Sequence, residues 1–214
     1  MNESLNSLKI FFGEPKQSRA QKTLDDLLQA AEKIVDGADA ESFDARSLAK
    51  VSGYSLGTLI KRLGAIENIF LYTIAVARSK TIRKIAMDIN RFGPETTAKE
   101  VVERLVDLAF TEIERVGTSV IRYYEKRALK RLSNPSKIYE YTNEVVEPLL
   151  SFIESNRSNT FRMPTKTEAT YICRSMFIFL ERPFVENDPV AGSDEHRNMA
   201  IQNILGLIEA KKVC

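Results

Sequence analysis

Two short predicted helices, joined by a tight turn that contains a glycine, constrain the fold of this chain more than any other feature. In the segment DARSLAKVSGYSLGTLIKRLG, Asp44 can cap a helix that starts at the next residue, and Gly53 can end it in the left-handed conformation. Ser55 can cap a second helix over residues 56–63, which Gly64 ends. Each helix has about two turns and is too short to be stable alone in water. The pair therefore requires a third helix to pack against.

Apolar residues recur at helical spacing along most of the chain. One stripe over residues 24–35 predicts a helix that can support the short pair, and another covers residues 138–152. Glycine and proline divide these stripes into segments of ordinary helix length, and we find no convincing alternating strand. We expect an all-α protein with about nine helices.

The sequence NRFGPETT marks the clearest boundary along the chain. Gly93 and Pro94 end a long helical pattern there, and Thr96 or Thr97 can cap the next helix. The predicted organisation is a flexible N-terminal arm (1–18), a helix-turn-helix domain (19–64), a connecting helix (65–92) and a larger helical domain (93–214).

Composition excludes several classes of protein. The formal net charge of the 214 residues is +2, so any contact with nucleic acid must be local. Two distant cysteines, Cys173 and Cys214, provide neither a disulfide framework nor a zinc site. The first residues are too polar for a signal peptide, and no apolar run is long enough to span a bilayer. We expect a cytoplasmic protein without a metal or cofactor and without membrane contact.

A tight turn between two crossed helices is typical of the helix-turn-helix, whose second helix fits the major groove of DNA. The spacing of Leu48, Ala49, Gly53 and Leu59 agrees with that arrangement. Helix pairs with a glycine turn also occur as plain packing units, so these residues alone leave both interpretations open.

Residues 27–69 resemble the N-terminal domain of TetR-type transcriptional repressors. The similarity lies in AAEKIV in the first helix, SLAKVSGYS in the second helix and turn, and GTLIKRL as the recognition helix. The remaining chain agrees with that family only in being helical and of the expected length. The resemblance implies a homodimer that binds a palindromic DNA operator and responds to a small-molecule effector in its C-terminal domain. It implies a repressor and not an enzyme.

The resemblance also implies which residues meet DNA. Cationic side chains can pair with phosphates or guanine edges, Thr58 can donate a hydrogen bond, and Gly57 allows close approach of the backbone. The alternative is that the cations form a solvated face. The expected contacts are Arg46, Ser55, Leu56, Gly57, Thr58, Lys61 and Arg62, with a further phosphate contact from the hydroxyl of Tyr54.

Three positions depart from the family pattern. Asp44 replaces a usual threonine and places a carboxylate where it would repel phosphate. Ile60 replaces a usual tyrosine and Ile66 a usual lysine, and both changes remove phosphate partners. We expect DNA affinity and its salt dependence to lie below the family norm. These losses keep open a second hypothesis, a helix-turn-helix relic that acts as a protein-interaction module.

The larger domain contains most of the aromatic residues and can enclose a site for a small apolar or aromatic effector. For any one of these residues the alternative is ordinary core packing. An enzyme that uses this cavity is the weakest hypothesis, because the sequence has no phosphate loop, metal-ligand spacing or nucleophile elbow. The candidate effector contacts are Phe110, Tyr124, Phe152, Cys173 and Phe177.

The last two helical segments are apolar over more of their circumference than a surface helix needs. They predict a homodimer through a four-helix interface, which also suits two recognition helices about 34 Å apart or a multiple of that distance. The residues expected in the interface are Ile172, Met176, Phe179, Leu180, Met199, Ile204, Leu207 and Ile208.

Three further features have a simple interpretation beside a functional one. Basic residues at 122, 126, 127, 130 and 131 can bind an acidic partner, although such a run is more often a solvated face. Cys173 is either a redox sensor or inert packing. His196 has no partners for a metal site or a catalytic triad, and we predict that it lies at the surface.

Overall fold

The computed structural model describes residues 18–36, 40–131 and 135–210; the predicted arm, apart from its last residue, and Cys214 lie outside these ranges. Within the described residues there is no β-strand, which confirms the all-α prediction. No helix among them is both long and apolar enough to cross a membrane. The α-helices are α1 (Ser18–Asp36), α2 (Ala45–Ser52), α3 (Leu56–Leu63), α4 (Ile66–Ile89), α5 (Ala98–Val116), α6 (Thr118–Arg131), α7 (Val146–Ser155), α8 (Lys166–Glu186) and α9 (Asp194–Ile208), with 3-10 helices at Ala40–Ser42 and Pro135–Val145.

The chain forms two compact units. The first comprises Met1–Arg78 and Arg115–Ser133, and the second comprises Ser79–Glu114 and Asn134–Cys214. Helices α4 and α5 each contribute residues to both units. The functional domain limits drawn from the sequence stay a prediction.

In the first unit, α2 and α3 are stabilised by buried leucines. Leu48 of α2 and Leu59 of α3 are fully buried, and Leu63 is nearly so. Helix α1 packs against α2, and α2 packs against α3, so the stripe predicted on α1 supplies the support that the short helices need. The buried residues of α1 are Ala20, Leu24, Leu27, Ala30, Ala31, Ile34 and Val35.

An aromatic cluster anchors the segment between α1 and α2. The ring of Phe43 stacks on Phe70 of α4 with centroids 4.8 Å apart, and it meets the edge of Tyr123 of α6 at 4.9 Å. Nearby, the backbone N–H of Ala40 donates to Ser119 Oγ at 3.1 Å. The start of the helix-turn-helix is thereby attached to two other helices of the same unit.

The predicted break after α4 is confirmed by a capping box. Thr97 Oγ1 accepts the backbone N–H of Glu100 at 3.3 Å, and the Glu100 carboxylate accepts the N–H of Thr97 at 2.8 Å. The reciprocal bonds satisfy two backbone donors at the start of α5. Of the two threonines considered, Thr97 is therefore the cap.

The second unit has its own apolar core, to which α4, α5, α7, α8 and the second 3-10 helix all contribute. A capping box between Thr165 and Glu168 fixes the start of α8, and Ser193 caps α9. Helices α8 and α9 pack against each other. The buried core residues are Ile82, Ile85, Ile89, Val101, Val145, Val146, Leu149, Phe152, Ile153, Ala169 and Cys173.

His196 is buried, and the prediction that it lies at the surface was wrong. Its ring lies 4.9 Å from that of Phe110 and 5.2 Å from that of Phe184. The N–H of Gly192 donates to Nδ1 at 3.2 Å, and Nε2 lies 3.0 Å from the carbonyl oxygen of Phe179. Because Nδ1 accepts the Gly192 N–H, the Nε2 side of the ring is the one that can donate to the Phe179 carbonyl. Contacts distant in sequence therefore give this residue a structural role.

We expect Phe43→Ala to lower the free energy of unfolding by about 3–5 kcal/mol, because it removes a buried ring and its two aromatic contacts. Chemical denaturation followed by circular dichroism would measure the change. The exposed Val51→Ala is the control and should change the value by less than about 0.5 kcal/mol. Equal effects of the two substitutions would show that the Phe43 cluster does not stabilise the fold.

Candidate nucleic-acid interface

Helix α2 begins and ends where the sequence predicts. The Asp44 carboxylate accepts the backbone N–H of Ser47 at 2.8 Å, so it caps the first turn. Gly53 has φ 75° and its N–H bonds to the carbonyl of Ala49, which ends the helix in the left-handed conformation. A side chain at Gly53 would strain this backbone, so glycine is required for the turn.

The boundaries of α3 are also confirmed. Ser55 Oγ accepts the N–H of Thr58 at 3.3 Å, and Gly64 follows the last turn with φ 65°. The hydroxyl groups of Ser55 and Thr58 also lie 3.1 Å apart, within hydrogen-bond distance. With Leu59 and Leu63 buried, the rotation of the helix about its axis is fixed.

Most residues expected to contact DNA are accessible to solvent. Arg46, Ser55, Gly57, Lys61 and Arg62 are exposed, and Thr58 is half-buried. A Cβ added at Gly57 would meet only Ser55 Oγ, at 3.9 Å, so packing inside the subunit does not require glycine there. The structure brings these residues together on two neighbouring short helices, where cations and donors can meet phosphates and base edges.

The exposed surface of α3 also has an apolar component. Ile60 is 60% exposed and Leu56 is 46% exposed, and they lie one turn apart on the same helix. Val51, in the last turn of α2, is 45% exposed. The sequence indicated only that isoleucine at position 60 removes a phosphate contact, and it did not predict this apolar surface.

The Tyr54 hydroxyl already has an acceptor within the subunit. It donates to Asp26 Oδ2 of α1 at 2.7 Å, and this hydrogen bond raises the pKa of Tyr54 above its ordinary value. The bond ties the turn to α1. A phosphate contact from this hydroxyl would have to compete with that carboxylate.

The residues predicted to bind an effector fall into three places. Phe152, Cys173 and Phe177 belong to one packed cluster in the second unit, whereas Phe110 packs elsewhere in that unit against Phe184 and His196. Tyr124 belongs to the first unit, where the guanidinium of Arg78 lies 5.2 Å from its ring centre. The structure therefore brings three of the five predicted residues together.

Two open clefts are lined by residues other than the predicted effector contacts. One, of about 720 Å³, lies in the first unit against the start of α6 and is lined by Arg122, Lys126 and Arg127 with Tyr123 and Glu41 among others. The second, of about 520 Å³, lies in the second unit between α8 and α9. Neither contains any of the five predicted effector residues.

Cys173 is suited to packing and not to redox chemistry. It is a free thiol with no solvent exposure, and burial raises its pKa to about 12. The reactive species is the thiolate, so the thiol of Cys173 is unreactive at neutral pH. The described residues also contain no group of three histidine, cysteine or acidic side chains placed to hold a metal ion.

The exposed apolar side chains of α8 and α9 agree with the predicted set only at Met199. Within the subunit Ile172, Met176, Leu180, Ile204 and Ile208 are buried, because α8 and α9 use them to pack against neighbouring helices. Their expected role in a dimer interface was therefore wrong. The exposed apolar side chains on these two helices are Tyr171, Ile178 and Met199.

The spacing of Tyr171 and Ile178 could have identified that face. Positions seven apart lie two turns along one side of a helix, and apolar residues at this spacing are typical of helix–helix contacts. The sequence of α8 contains several pairs of apolar residues at this spacing. The packing of α8 against α7, α9 and the second 3-10 helix decides which of them lies inside the subunit.

No protein-family model matches the sequence, and no curated protein matches it at a significant level. Solved structures do match. One, assigned to the TetR family of transcriptional regulators in Mesorhizobium loti, is 12% identical over 91% of this chain and 100% of its own, with a TM-score of 0.59. A TetR family transcription regulator from Marinobacter aquaeolei is 17% identical over 90% and 98% of the two chains, with a TM-score of 0.51.

A third structure comes from work on the control of antibiotic production by bacterial hormones. It is 16% identical over 88% of this chain and 98% of its own, with a TM-score of 0.51. At such low sequence identities the comparisons inform the fold alone. They show that this chain has the TetR-like all-α fold over nearly its whole length.

We expect Asp44→Asn to keep the cap of α2 but to remove its dependence on pH. The N–H of Ser47 holds the pKa of Asp44 below its ordinary 3.8, so the charged cap stabilises the helix above pH 3.8 and loses this effect as pH falls through the lowered value. At pH 7 the variant should be about 0.5 kcal/mol less stable, because the carboxylate interacts favourably with the helix dipole.

Denaturation of both proteins between pH 7 and pH 2 would measure this difference. The gap between wild type and Asp44→Asn should close below pH 3.8. A gap that stays constant to pH 2 would show that the Asp44 charge does not stabilise α2.

Proposed function

We propose that this chain is a transcriptional regulator, a repressor, that binds a palindromic operator as a homodimer. The observation that carries the proposal is the two-turn helix α3. Its buried leucines fix its orientation, while Gly57, Lys61 and Arg62 remain exposed on it. A short helix presented in this way within a TetR-like fold has the dimensions and the donors needed to enter the major groove.

Each exposed residue has a separate role in this proposal. Arg46 of α2 and Lys61 and Arg62 of α3 pair with phosphates or guanine edges, and Gly57 permits close approach of the backbone. Ser55 Oγ caps the helix by accepting the backbone N–H of Thr58, and the hydroxyl groups of both residues can still accept or donate at its first turn. The N-terminus of α3 suits a contact with DNA, because its backbone N–H groups attract phosphate.

Dimerisation uses the exposed face of α8 and α9. Tyr171 and Ile178 lie two turns apart on α8, and Met199 is exposed on α9. Exposed apolar side chains that share a face are typical of protein–protein contacts. A two-fold axis through such a face pairs the same residues on both subunits, which suits a palindromic operator.

A small effector in the second unit changes DNA affinity. The cluster of Phe152, Phe177 and Tyr141 supplies apolar and aromatic surface, with Tyr141 and Phe177 ring centres 5.8 Å apart. Helix α4 has residues in both units, so an effector that alters α4 can affect the DNA-binding helices. It can do so only by binding the two states of the dimer with different affinities.

Selection of random duplex DNA by the purified protein tests the proposal, and we expect an enriched inverted repeat. Lys61→Ala with Arg62→Ala should weaken binding to that sequence and reduce the slope of log K against log salt by about two if both contact phosphate. Fluorescence anisotropy at several salt concentrations would measure both quantities.

The matched control is Arg91→Ala with Lys99→Ala. It removes the same charge from exposed positions of the second unit and should leave the salt slope unchanged within error. A protein that enriches no sequence, or whose two double variants behave alike, would contradict the proposed function.

We expect Ile178→Arg to convert the dimer to a monomer, because it places a charge in an apolar interface. Sedimentation velocity would give the oligomeric state. Met87→Arg is the control, since Met87 is also an exposed apolar residue but lies on α4. A wild-type protein that sediments as a monomer, or an Ile178→Arg variant that remains dimeric, would exclude this interface.

A further inference from the structure

Among the side chains of the first unit whose burial the structure describes, the exposed large apolar ones all lie in one short segment. These side chains are Val51, Leu56 and Ile60, and all lie within ten residues in the helix-turn-helix. The other large apolar residues of α2 and α3, Leu48, Leu59 and Leu63, are buried. The fold therefore buries one apolar side of these helices and leaves a second apolar surface in water.

Exposure of this surface has a free-energy cost that intramolecular packing does not recover. Burial of a large aliphatic side chain is favourable, so three exposed side chains within ten residues suggest a binding partner. Ile60 is the clearest case because it is more than half exposed in the middle of a helix of eight residues. A polar residue there would fit the solvent better.

Charge around the apolar surface indicates the kind of partner. Lys50 precedes Val51 in the chain, and Lys61 and Arg62 follow Ile60; all three cations are exposed. An apolar centre flanked by cations is complementary to the major groove, where phosphates border the base edges. The only apolar group that a base presents in that groove is the C5-methyl group of thymine.

We propose that Leu56 and Ile60 contact thymine C5-methyl groups, so that these residues select thymine-containing half-sites. The inference rests on the proposed function and adds to it a specific chemical group on the DNA. The two residues are four positions apart on α3, which corresponds to about 6 Å along the helix axis. Bases two steps apart on one strand are separated by about 7 Å, so the pair matches two thymines at that spacing.

The test changes the DNA and leaves the protein intact. In the operator obtained by selection, each thymine of a half-site is replaced in turn by deoxyuridine, which pairs identically but lacks the C5-methyl group. We expect binding to wild-type protein to weaken about fourfold for each contacted methyl group, as for the loss of one buried carbon. Thymines outside the contacted pair serve as internal controls.

Protein variants assign the contacts to particular side chains. In Ile60→Ala the effect of deoxyuridine should disappear at one thymine, and in Leu56→Ala at the other, which a double-mutant cycle would quantify. Met87→Ala is the control, because it also truncates an exposed side chain but lies on α4, and it should retain the full fourfold effect. Both truncated residues are exposed, so circular dichroism should confirm an unchanged fold.

The outcomes separate this inference from the proposed function. A random pool that yields no preferred sequence would overturn both. An enriched palindrome that wild-type protein binds equally well with thymine or deoxyuridine would overturn only the inference. A thymine preference that Ile60→Ala and Leu56→Ala leave unchanged would also overturn it, and would indicate that the apolar surface contacts another protein.

Discussion

Burial of Leu48, Leu59 and Leu63 is the interaction on which the candidate interface depends. Helices α2 and α3 have eight residues each, and such helices are unstable in water without tertiary contacts. The three leucines connect them to each other and to the rest of the first unit. Because the buried side of each helix is fixed, the outward side is fixed as well, and the proposed DNA contacts all use that outward side.

Features encoded by adjacent residues could be predicted from the sequence. Asp44, Ser55 and Thr97 cap helices, and Gly53 and Gly64 end them, because each interaction spans only three or four positions. The same local rules gave the all-α fold and the limits of α2 and α3. The resemblance that named the DNA contacts rests on this part of the chain, and the structure places most of those residues in solvent.

Features that depend on distant residues could not be predicted. Nothing near His196 in the sequence indicates Phe110 or the carbonyl of Phe179, and these contacts determine its burial. The hydrogen bond from Tyr54 to Asp26 joins residues 28 positions apart. Likewise, the choice between Ile172 and Ile178 as an outward residue depends on where α7, α9 and the second 3-10 helix pack against α8. Helical periodicity identifies the apolar stripe of each helix but does not show which residues it packs against.

The arrangement of α3 assigns stability and recognition to different positions. Ser55, Leu59, Leu63 and Gly64 hold the helix, whereas Gly57, Ile60 and Lys61 face outward and make no contribution to the core. If α3 contacts DNA as proposed, evolution can change which DNA the helix prefers without passing through unfolded intermediates, and descendants of one ancestor can diverge in their target genes. Because of the same separation, the outward positions can be varied together to engineer new specificities on an unchanged scaffold.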